Sequence, residues 1–270
     1  LEKGSPLVES LAVEVLGILE TLDYYSRCQP DSLRPRKAAV HVPFFGHKKN
    51  CFLFQPLGPT LVISPWNFPF LLSANDVICA LAAGNTVILR PSTSTPFCSL
   101  AIGEIFLEAG LPPGVLNVVP CRVTQAEELI LNPSIQCLLF TGSVATGKRI
   151  MELASRNLTS LVLELGGKDP MIVLEDADVD MAARGAVWAG FMNTGQSCAS
   201  VERIYVAAKI APAFIENVVA LTKALKIGNP IEPEVDLGPM ENSGQRKVVE
   251  EHVQEAVAKG AEVLCGGKKW

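Results

Sequence analysis

The chain has 270 residues, 28 acidic against 23 basic side chains, a formal net charge of -5 and 49% hydrophobic residues. That is apolar material for one large or two modest cores, and no Lys/Arg cluster marks a nucleic-acid surface. Eight cysteines with no CxxC pair, and only three histidines, argue against a zinc site. They read as reduced cytosolic or organellar-matrix thiols, most of them buried as small hydrophobes, and of the two locations the cytoplasm is expected. No signal peptide is visible at the start. The uncharged stretch 50–75 is broken by Pro56, Pro59, Pro65 and Pro69, so it reads as a core strand, a sharp loop and a helix start, with no membrane span.

Leu7, Leu11, Val15, Ile18 and Leu22 recur at helical spacing and predict an amphipathic helix over 7–25. Short β-like pieces around polar turns follow over 34–54. Strands are then predicted at 60–63, 85–90, 114–119, 136–140 and 161–164, with helices at 73–83, 95–109, 124–132 and 143–155 between them. Such alternation implies parallel βαβ units with right-handed crossovers, hence an α/β fold with a doubly wound, Rossmann-like parallel sheet. Ligands of such sheets sit at the carboxyl ends of the strands. Arg90, Glu164 and the loop opening at Thr141-Gly142 all fall there and are expected to share one crevice.

After Gly167 the pattern restarts. A strand is predicted at 171–174, a helix at 178–193 with Asp178 as its N-cap, and a strand at 203–206. Helices at 212–225 and 243–259 follow, then a further strand at 261–264. The expected boundary near residue 166 divides the chain into 1–166 and 167–270, the second part being an incomplete α/β domain.

Four pieces carry chemistry. Cys198 follows Asn193-Thr194-Gly195-Gln196-Ser197, a small polar loop in which substrate can reach a thiolate, given surroundings that activate it. Glu164 ends the apolar run Leu161-Val162-Leu163, and Gly166-Gly167 after it permits close approach of backbone or ligand. A nucleophile with a separate acid/base is the minimum kit for covalent catalysis on a carbonyl. Asn67, held between Pro65 and Pro69 beside Trp66 and Phe68, suits a fixed donor for a developing oxyanion. Gly142-Ser143-Val144-Ala145-Thr146-Gly147 spans a strand-to-helix turn whose free N–H groups suit a pyrophosphate, although it is neither GxGxxG nor a P-loop. Plain packing, a solvated strand end or a rigid turn remains the bland reading of each piece taken singly.

The order Pro65-Trp66-Asn67-Phe68-Pro69, Phe140-Thr141-Gly142-Ser143, Glu164-Leu165-Gly166-Gly167-Lys168 and Gly195-Gln196-Ser197-Cys198 resembles the NAD(P)-dependent aldehyde dehydrogenase superfamily. The likeness runs along nearly the whole chain and includes Ala83-Gly84-Asn85-Thr86-Val87-Ile88-Leu89-Arg90-Pro91-Ser92. It implies that 1–166 binds the dinucleotide and that 167–270 is part of the catalytic domain. It also implies that Cys198 attacks an aldehyde, that Asn67 and the Cys198 N–H hold the oxyanion, and that hydride leaves for NAD or NADP. Glu164 would then activate the water that releases the acid, with Lys168 relaying protons. Trp66, Arg90, Ser92, Thr93, Gly142, Ser143 and Gly166 would bind the cofactor, and no metal is implied.

Two departures from the family pattern stand out. Arg90-Pro91-Ser92-Thr93 replaces the usual Lys-Pro-Ser-Glu, which removes a carboxylate that would repel a 2′-phosphate and favours acceptance of NADP. Asp76 stands where many members carry lysine. Members are nearly twice as long, so an N-terminal segment and the C-terminal half of the catalytic domain are expected to be absent here, with no Glu-x-Phe-Gly-Pro motif. The stretch 41–55 resembles the hairpin of the family's subunit interface, which implies a homo-oligomer. A catalytically silent fragment that binds nucleotide or a partner is the alternative; a CoA-acylating relative is disfavoured by Glu164. The partner is a small-molecule aldehyde, apolar or aromatic if Trp188, Phe191 and Met192 wall the pocket, with core packing of those three left open.

Overall fold

In a computed structural model, residues 2–39 and 41–268 are described, without the side chains of 28–30 and 32, so the Cys28 thiol lies outside the described residues. The order begins with α1 (Leu7–Glu9), a π-helical turn (Ser10–Val15), α2 (Leu16–Ser32), β1 (Arg36–Ala38) and β2 (Asn50–Phe52). It continues through β3 (Pro59–Ile63), α3 (Leu71–Ala82), β4 (Thr86–Arg90), α4 (Pro96–Glu108), β5 (Leu116–Val118), α5 (Val123–Ile130), β6 (Cys137–Thr141), α6 (Val144–Ala154) and β7 (Ser160–Glu164). Then come β8 (Asp169–Val173), α7 (Val179–Phe191), β9 (Val201–Val206), α8 (Ala211–Ala224) and α9 (Ser243–Ala258). The chain divides into two compact units, Val13–Glu164 on one side and the residues up to Ala12 with those from Leu165 on the other.

The Val13–Glu164 unit is built on a five-stranded sheet of order β5-β4-β3-β6-β7, parallel throughout. These strands are short runs of β-branched and aliphatic residues, which suits a sheet covered on both faces. Val62, Val87, Leu89 and Leu116 point to one face and pack with Ile18, Ala74, Val77, Ile78, Ala80 and Ile102 of α2, α3 and α4. Leu61 and Leu138 alternate to the opposite face and are equally buried, as are Ala126, Ile130, Ile150 and Leu153 of α5 and α6. The doubly wound sheet expected from the alternation is therefore present. Its strand order reverses between β3 and β6, the position at which such sheets open a ligand crevice.

The predicted amphipathic helix over 7–25 forms, but not with the predicted buried face. Leu7, Leu11, Val15 and Leu22 are exposed, and Ile18 alone of that stripe joins the core. The π-helical turn supplies the reason: its extra residue rotates the following face and carries Glu14 inward. Glu14 is buried, and its Oε2 accepts from Phe70 N–H at 2.8 Å and Leu71 N–H at 3.3 Å. Those are free donors of the first turn of α3, which otherwise has no side-chain cap.

In the other unit β8 and β9 pair in parallel, with a register shift between Asp169 and Pro170. Val173, Ala183, Ala186 and Phe214 form its core with α7 and α8. Asp178 caps α7, its carboxylate accepting from Met181 N–H at 3.0 Å, as its position before the helix suggested. The strand expected over 261–264 does not form: these residues have no regular structure. No described strand pairs with them, and an extended run without a partner leaves its main chain to water. β1 and β2 form an antiparallel ribbon, Arg36 opposite Phe52 and Ala38 opposite Asn50. No described helix is long and apolar enough to cross a membrane.

Because Glu14 closes the start of α3 from inside the unit, Glu14→Ala should leave two half-buried main-chain donors without their acceptor. We expect a loss of about 1–3 kcal/mol in urea unfolding at constant m-value. An unchanged midpoint would show that water replaces the carboxylate without cost.

Candidate active site

Asn67 lies on the bend between β3 and α3, at the carboxyl edge of the sheet. The bend is rooted by a buried chain of hydroxyls. Ser64, the first residue past β3, hydrogen-bonds through Oγ to Ser73 of α3, and Ser73 bonds in turn to Ser99 of α4 at 3.2 Å. All three serines are buried, as are Phe68 and Pro69. Trp66 and Asn67 are half-buried on this base.

Beside it, Thr141 at the end of β6 is in register with Glu164 at the end of β7. Gly142 N–H donates to the Glu164 carbonyl at 2.9 Å. Only glycine fits at 142, because a Cβ there would lie 2.5 Å from the Phe140 ring. Ser143 caps α6, its Oγ accepting from Thr146 N–H at 3.2 Å, which leaves the other first-turn N–H groups of α6 open toward an anion. The Glu164 side chain is exposed. Asp76 of α3 is half-buried; burial, and secondarily the negative charge of Glu164, push its pKa up to about 6.

At the ends of β4 and β5 a cleft of about 340 Å³ is lined by Ser92, Thr93, Pro96, Cys121, Arg122 and Gln125 among others. Arg90, expected among the cofactor-binding residues, is only 9% exposed and does not line this cleft. Its Nη2 donates to the Cys121 carbonyl at 3.1 Å, because the last residue of a central strand points its side chain under the neighbouring loop. A cleft with two hydroxyls, a free guanidinium and the nearby start of α4 fits a phosphorylated ribose. The open start of α6 fits a pyrophosphate. A dinucleotide therefore suits the residues present, and Ser92, Thr93, Ser143 and the backbone at Gly142 are those that would hold it.

Cys198 belongs to the other unit, where it is exposed on a turn after α7. Before it, Asn193 (φ 55), Thr194 (φ 58) and Gly195 (φ 72) stand in succession in the left-handed region. Two of them carry a Cβ, and each costs about 1–3 kcal/mol in that conformation. A network holds them there. Asn193 N–H donates to Glu9 Oε1 at 2.8 Å, Asn193 Nδ2 to the Gln196 carbonyl at 3.0 Å, and Thr194 Oγ1 to the Gly238 carbonyl at 3.0 Å. Gln196 donates its Nε2 to the Asn193 carbonyl at 3.0 Å and accepts from Glu241 N–H at 2.9 Å.

Lys168 and the two glycines before it also belong to this unit. The Lys168 ammonium pairs with Glu202 at 3.4 Å, and its carbonyl accepts from Arg203 Nε at 3.1 Å. At Gly166 a Cβ would meet nothing, whereas at Gly167 it would lie 2.8 Å from Asp169 Oδ1 and 3.6 Å from the Cys198 carbonyl. The close approach that the glycine pair suggested is made at Gly167.

The seven described cysteines are free thiols, and Cys137 alone of them is buried, which corrects the expectation that most would be core residues. Trp188 and Phe191 are exposed on one face of α7, Trp188 by 64%, outside the core of this unit. Glu9, Glu14, Ser73 and Ser99 were not singled out in the sequence. Only a serine at the turn after β3 with two more serines in the next helices hints at the hydroxyl chain, and nothing local marks the glutamates. Among the described residues no group of three or more His, Cys, Asp or Glu is arranged to hold a metal ion.

Two outcomes are expected. The Asp76 carboxyl holds its proton more tightly folded than unfolded, so its contribution to stability is full below pH about 4 and is lost as pH rises through about 6. Asp76→Asn should therefore raise stability near neutral pH by about 1–3 kcal/mol and leave it unchanged below pH about 4; equal effects at both would remove the titration from the account. Glu9→Ala should strip the acceptor from Asn193 N–H and speed its hydrogen exchange by about tenfold to a hundredfold. Unchanged exchange at Asn193 would show the loop to be held without Glu9.

The aldehyde dehydrogenase family matches residues 1–269. A Mycobacterium tuberculosis protein provisionally named succinate-semialdehyde dehydrogenase [NADP(+)] 2 is 42% identical over 255 residues, which are 94% of this chain and 49% of that protein. D-glyceraldehyde dehydrogenase (NADP(+)) of Thermoplasma acidophilum is 38% identical over 99% of this chain and 53% of its own. The solved structure of an aldehyde dehydrogenase from Bacillus cereus as its NAD+ complex has a TM-score of 0.93 at 31% identity, covering 100% of this chain and 54% of that one. The chain thus spans about half the length of the curated relatives it matches. Matched from residue 1 to residue 269 and folded like a solved member at a TM-score of 0.93, the chain belongs to the aldehyde dehydrogenase family.

Proposed function

We propose that this chain carries the nucleophile, the oxyanion donor, the base and the dinucleotide-binding sheet of an NAD(P)-dependent aldehyde oxidation. The observation that carries the reading is Cys198: an exposed thiol displayed by a loop in which three successive residues are held left-handed by named hydrogen bonds. Core cysteines do not need such a mount, and strained, over-determined backbone clusters at reactive sites. The Val13–Glu164 unit is read as the dinucleotide-binding part and the unit from Leu165 as the nucleophile-bearing part.

In this reading the Cys198 thiolate adds to the carbonyl carbon of the aldehyde, and the oxyanion formed is held by the Asn67 amide and the Cys198 N–H. When bound, NAD or NADP supplies the acceptor for the hydride that leaves as the adduct becomes a thioester. Glu164, exposed at the end of β7, takes a proton from water so that hydroxide attacks the thioester and the acid departs from Cys198. Lys168, paired with Glu202, serves proton traffic from outside the reacting centre. The exposed Trp188 and Phe191 on α7 favour an aldehyde with an apolar or aromatic body. The exposed Phe44 and Phe52 of the β1–β2 ribbon support its reading as a surface between copies of the protein.

Turnover of benzaldehyde and of short aliphatic aldehydes with NAD and with NADP, followed by absorbance of the reduced nicotinamide, tests the proposal. Cys198→Ala should abolish turnover, Asn67→Ala should lower kcat by about a hundredfold or more, and Glu164→Gln should trap a thioester detectable by mass. Full turnover in Cys198→Ala would overturn the covalent mechanism.

A further inference from the structure

Asn193 opens the run of three left-handed residues before Cys198 and is only 3% exposed. A main-chain N–H at that depth has no water to bond, so its acceptor decides whether the conformation is kept. That acceptor is the Glu9 carboxylate, whose Oε1 takes the Asn193 N–H at 2.8 Å. A carboxylate is a stronger acceptor than a carbonyl, and Glu9 brings it from the end of α1, in a segment that packs in the same unit as Cys198. Asn193 passes the constraint on. Its Nδ2 donates to the Gln196 carbonyl at 3.0 Å, and its own carbonyl accepts from Gln196 Nε2 at 3.0 Å. Gln196 stands two residues before Cys198.

The segment that carries Glu9 meets the cysteine loop a second time. Gly4 and Gly238 touch main chain to main chain: a Cβ at Gly238 would lie 2.0 Å from the Gly4 carbonyl oxygen, and one at Gly4 (φ 80) would lie 2.9 Å from Pro239 Cγ. The Gly238 carbonyl accepts from Thr194 Oγ1 at 3.0 Å. Residues 9 and 4 thus act on Asn193 and Thr194, the two left-handed residues of the run that carry a Cβ and store its strain. Past the run the Cys198 thiol is exposed, and its main-chain N–H donates to no described group.

We propose that Glu9 is a positioning residue for the nucleophile, setting through Asn193 and Gln196 the direction in which the Cys198 thiol and the Cys198 N–H meet a substrate carbonyl. The assignment rests on the reading of Cys198 as nucleophile given above. Attack on a carbonyl needs both groups at once: the thiolate forms the bond to carbon while the N–H meets the oxygen that takes up the electron pair. A loop released from its left-handed turn keeps the thiol exposed, yet a displacement of about 1 Å costs carbonyl attack up to about a hundredfold.

Two small electrophiles, with the modification of Cys198 located by peptide mass, separate aim from exposure. Iodoacetamide is attacked at a saturated carbon and loses iodide, so its rate follows the thiolate alone. p-Nitrophenyl acetate is attacked at a carbonyl: the C–S bond forms, an oxyanion builds and p-nitrophenolate leaves, so its rate follows the N–H as well. Glu9→Ala should slow acetylation of Cys198 by about tenfold to a hundredfold and leave its alkylation within about twofold. Glu9→Gln keeps an oxygen acceptor for the Asn193 N–H and should restore acetylation to within about threefold of wild type. Acetylation unchanged in Glu9→Ala, both rates falling together, or Glu9→Gln as slow as Glu9→Ala overturns the assignment and leaves the nucleophile reading standing. In the wild-type chain, a ratio of acetylation to alkylation at Cys198 no higher than at the exposed Cys51 overturns that reading and the assignment with it.

Discussion

The sheet unit depends on main-chain hydrogen bonds that continue past the last residue of each strand. Ser64 N–H reaches the Arg90 carbonyl at 3.1 Å, Val119 N–H the Leu89 carbonyl at 2.8 Å, and Gly142 N–H the Glu164 carbonyl at 2.9 Å. A parallel sheet ends in donors and acceptors that must be paired somewhere, and here neighbouring loop roots pair them. The loops bearing Asn67, Arg122, Ser143 and Glu164 therefore leave one edge with their first residues already fixed. The same constraint explains the side chains beneath that edge. Once main-chain partners hold the roots, hydroxyls and a glutamate suffice for the remaining buried donors, as the Ser64–Ser73–Ser99 chain and Glu14 show.

The cysteine loop solves a different problem by different means. Two left-handed residues with side chains cost about 1–3 kcal/mol each, and hydrogen bonds return about 1 kcal/mol apiece. The balance is close, so no single bond to Glu9, Gly238, Gln196 or Glu241 suffices to hold the conformation. A rigid display of Cys198 emerges only from the set, and a member 184 residues away in sequence contributes to it.

That distance marks the limit of what could be read from the residues in order. The alternation of strands and helices was legible because each strand is a short apolar run and each helix has its own period; the five parallel strands and the cap at Asp178 follow from local chemistry. The Leu7-Leu11-Val15-Ile18-Leu22 stripe misled because one π-helical turn rotates it, and such a turn leaves no mark in a periodicity. Ala261-Glu262-Val263-Leu264 has a strand's composition, but a strand exists only with a neighbour. At the site, Asn67, Glu164 and Cys198 were legible as residue types in telling loops. Arg90 was legible as a cation at a strand end, yet whether it faces ligand or loop is decided by the Cys121 carbonyl, which only the fold brings beside it.

Charge along the carboxyl edge is divided, and the division follows the strand order. On the β4–β5 side stand Arg90 and Arg122 with no acid lining their cleft. On the side of β3 and β7 stand Asp76 and Glu164, two carboxyl groups close enough that the charge of one raises the pKa of the other. Unlike charges at two ends of one edge favour an anion at the first. Asp76 answers that like charge by holding its own proton, chiefly because it is largely buried and secondarily because Glu164 is near. Its carboxyl changes charge at a pKa of about 6, within a range where this end of the edge responds to pH.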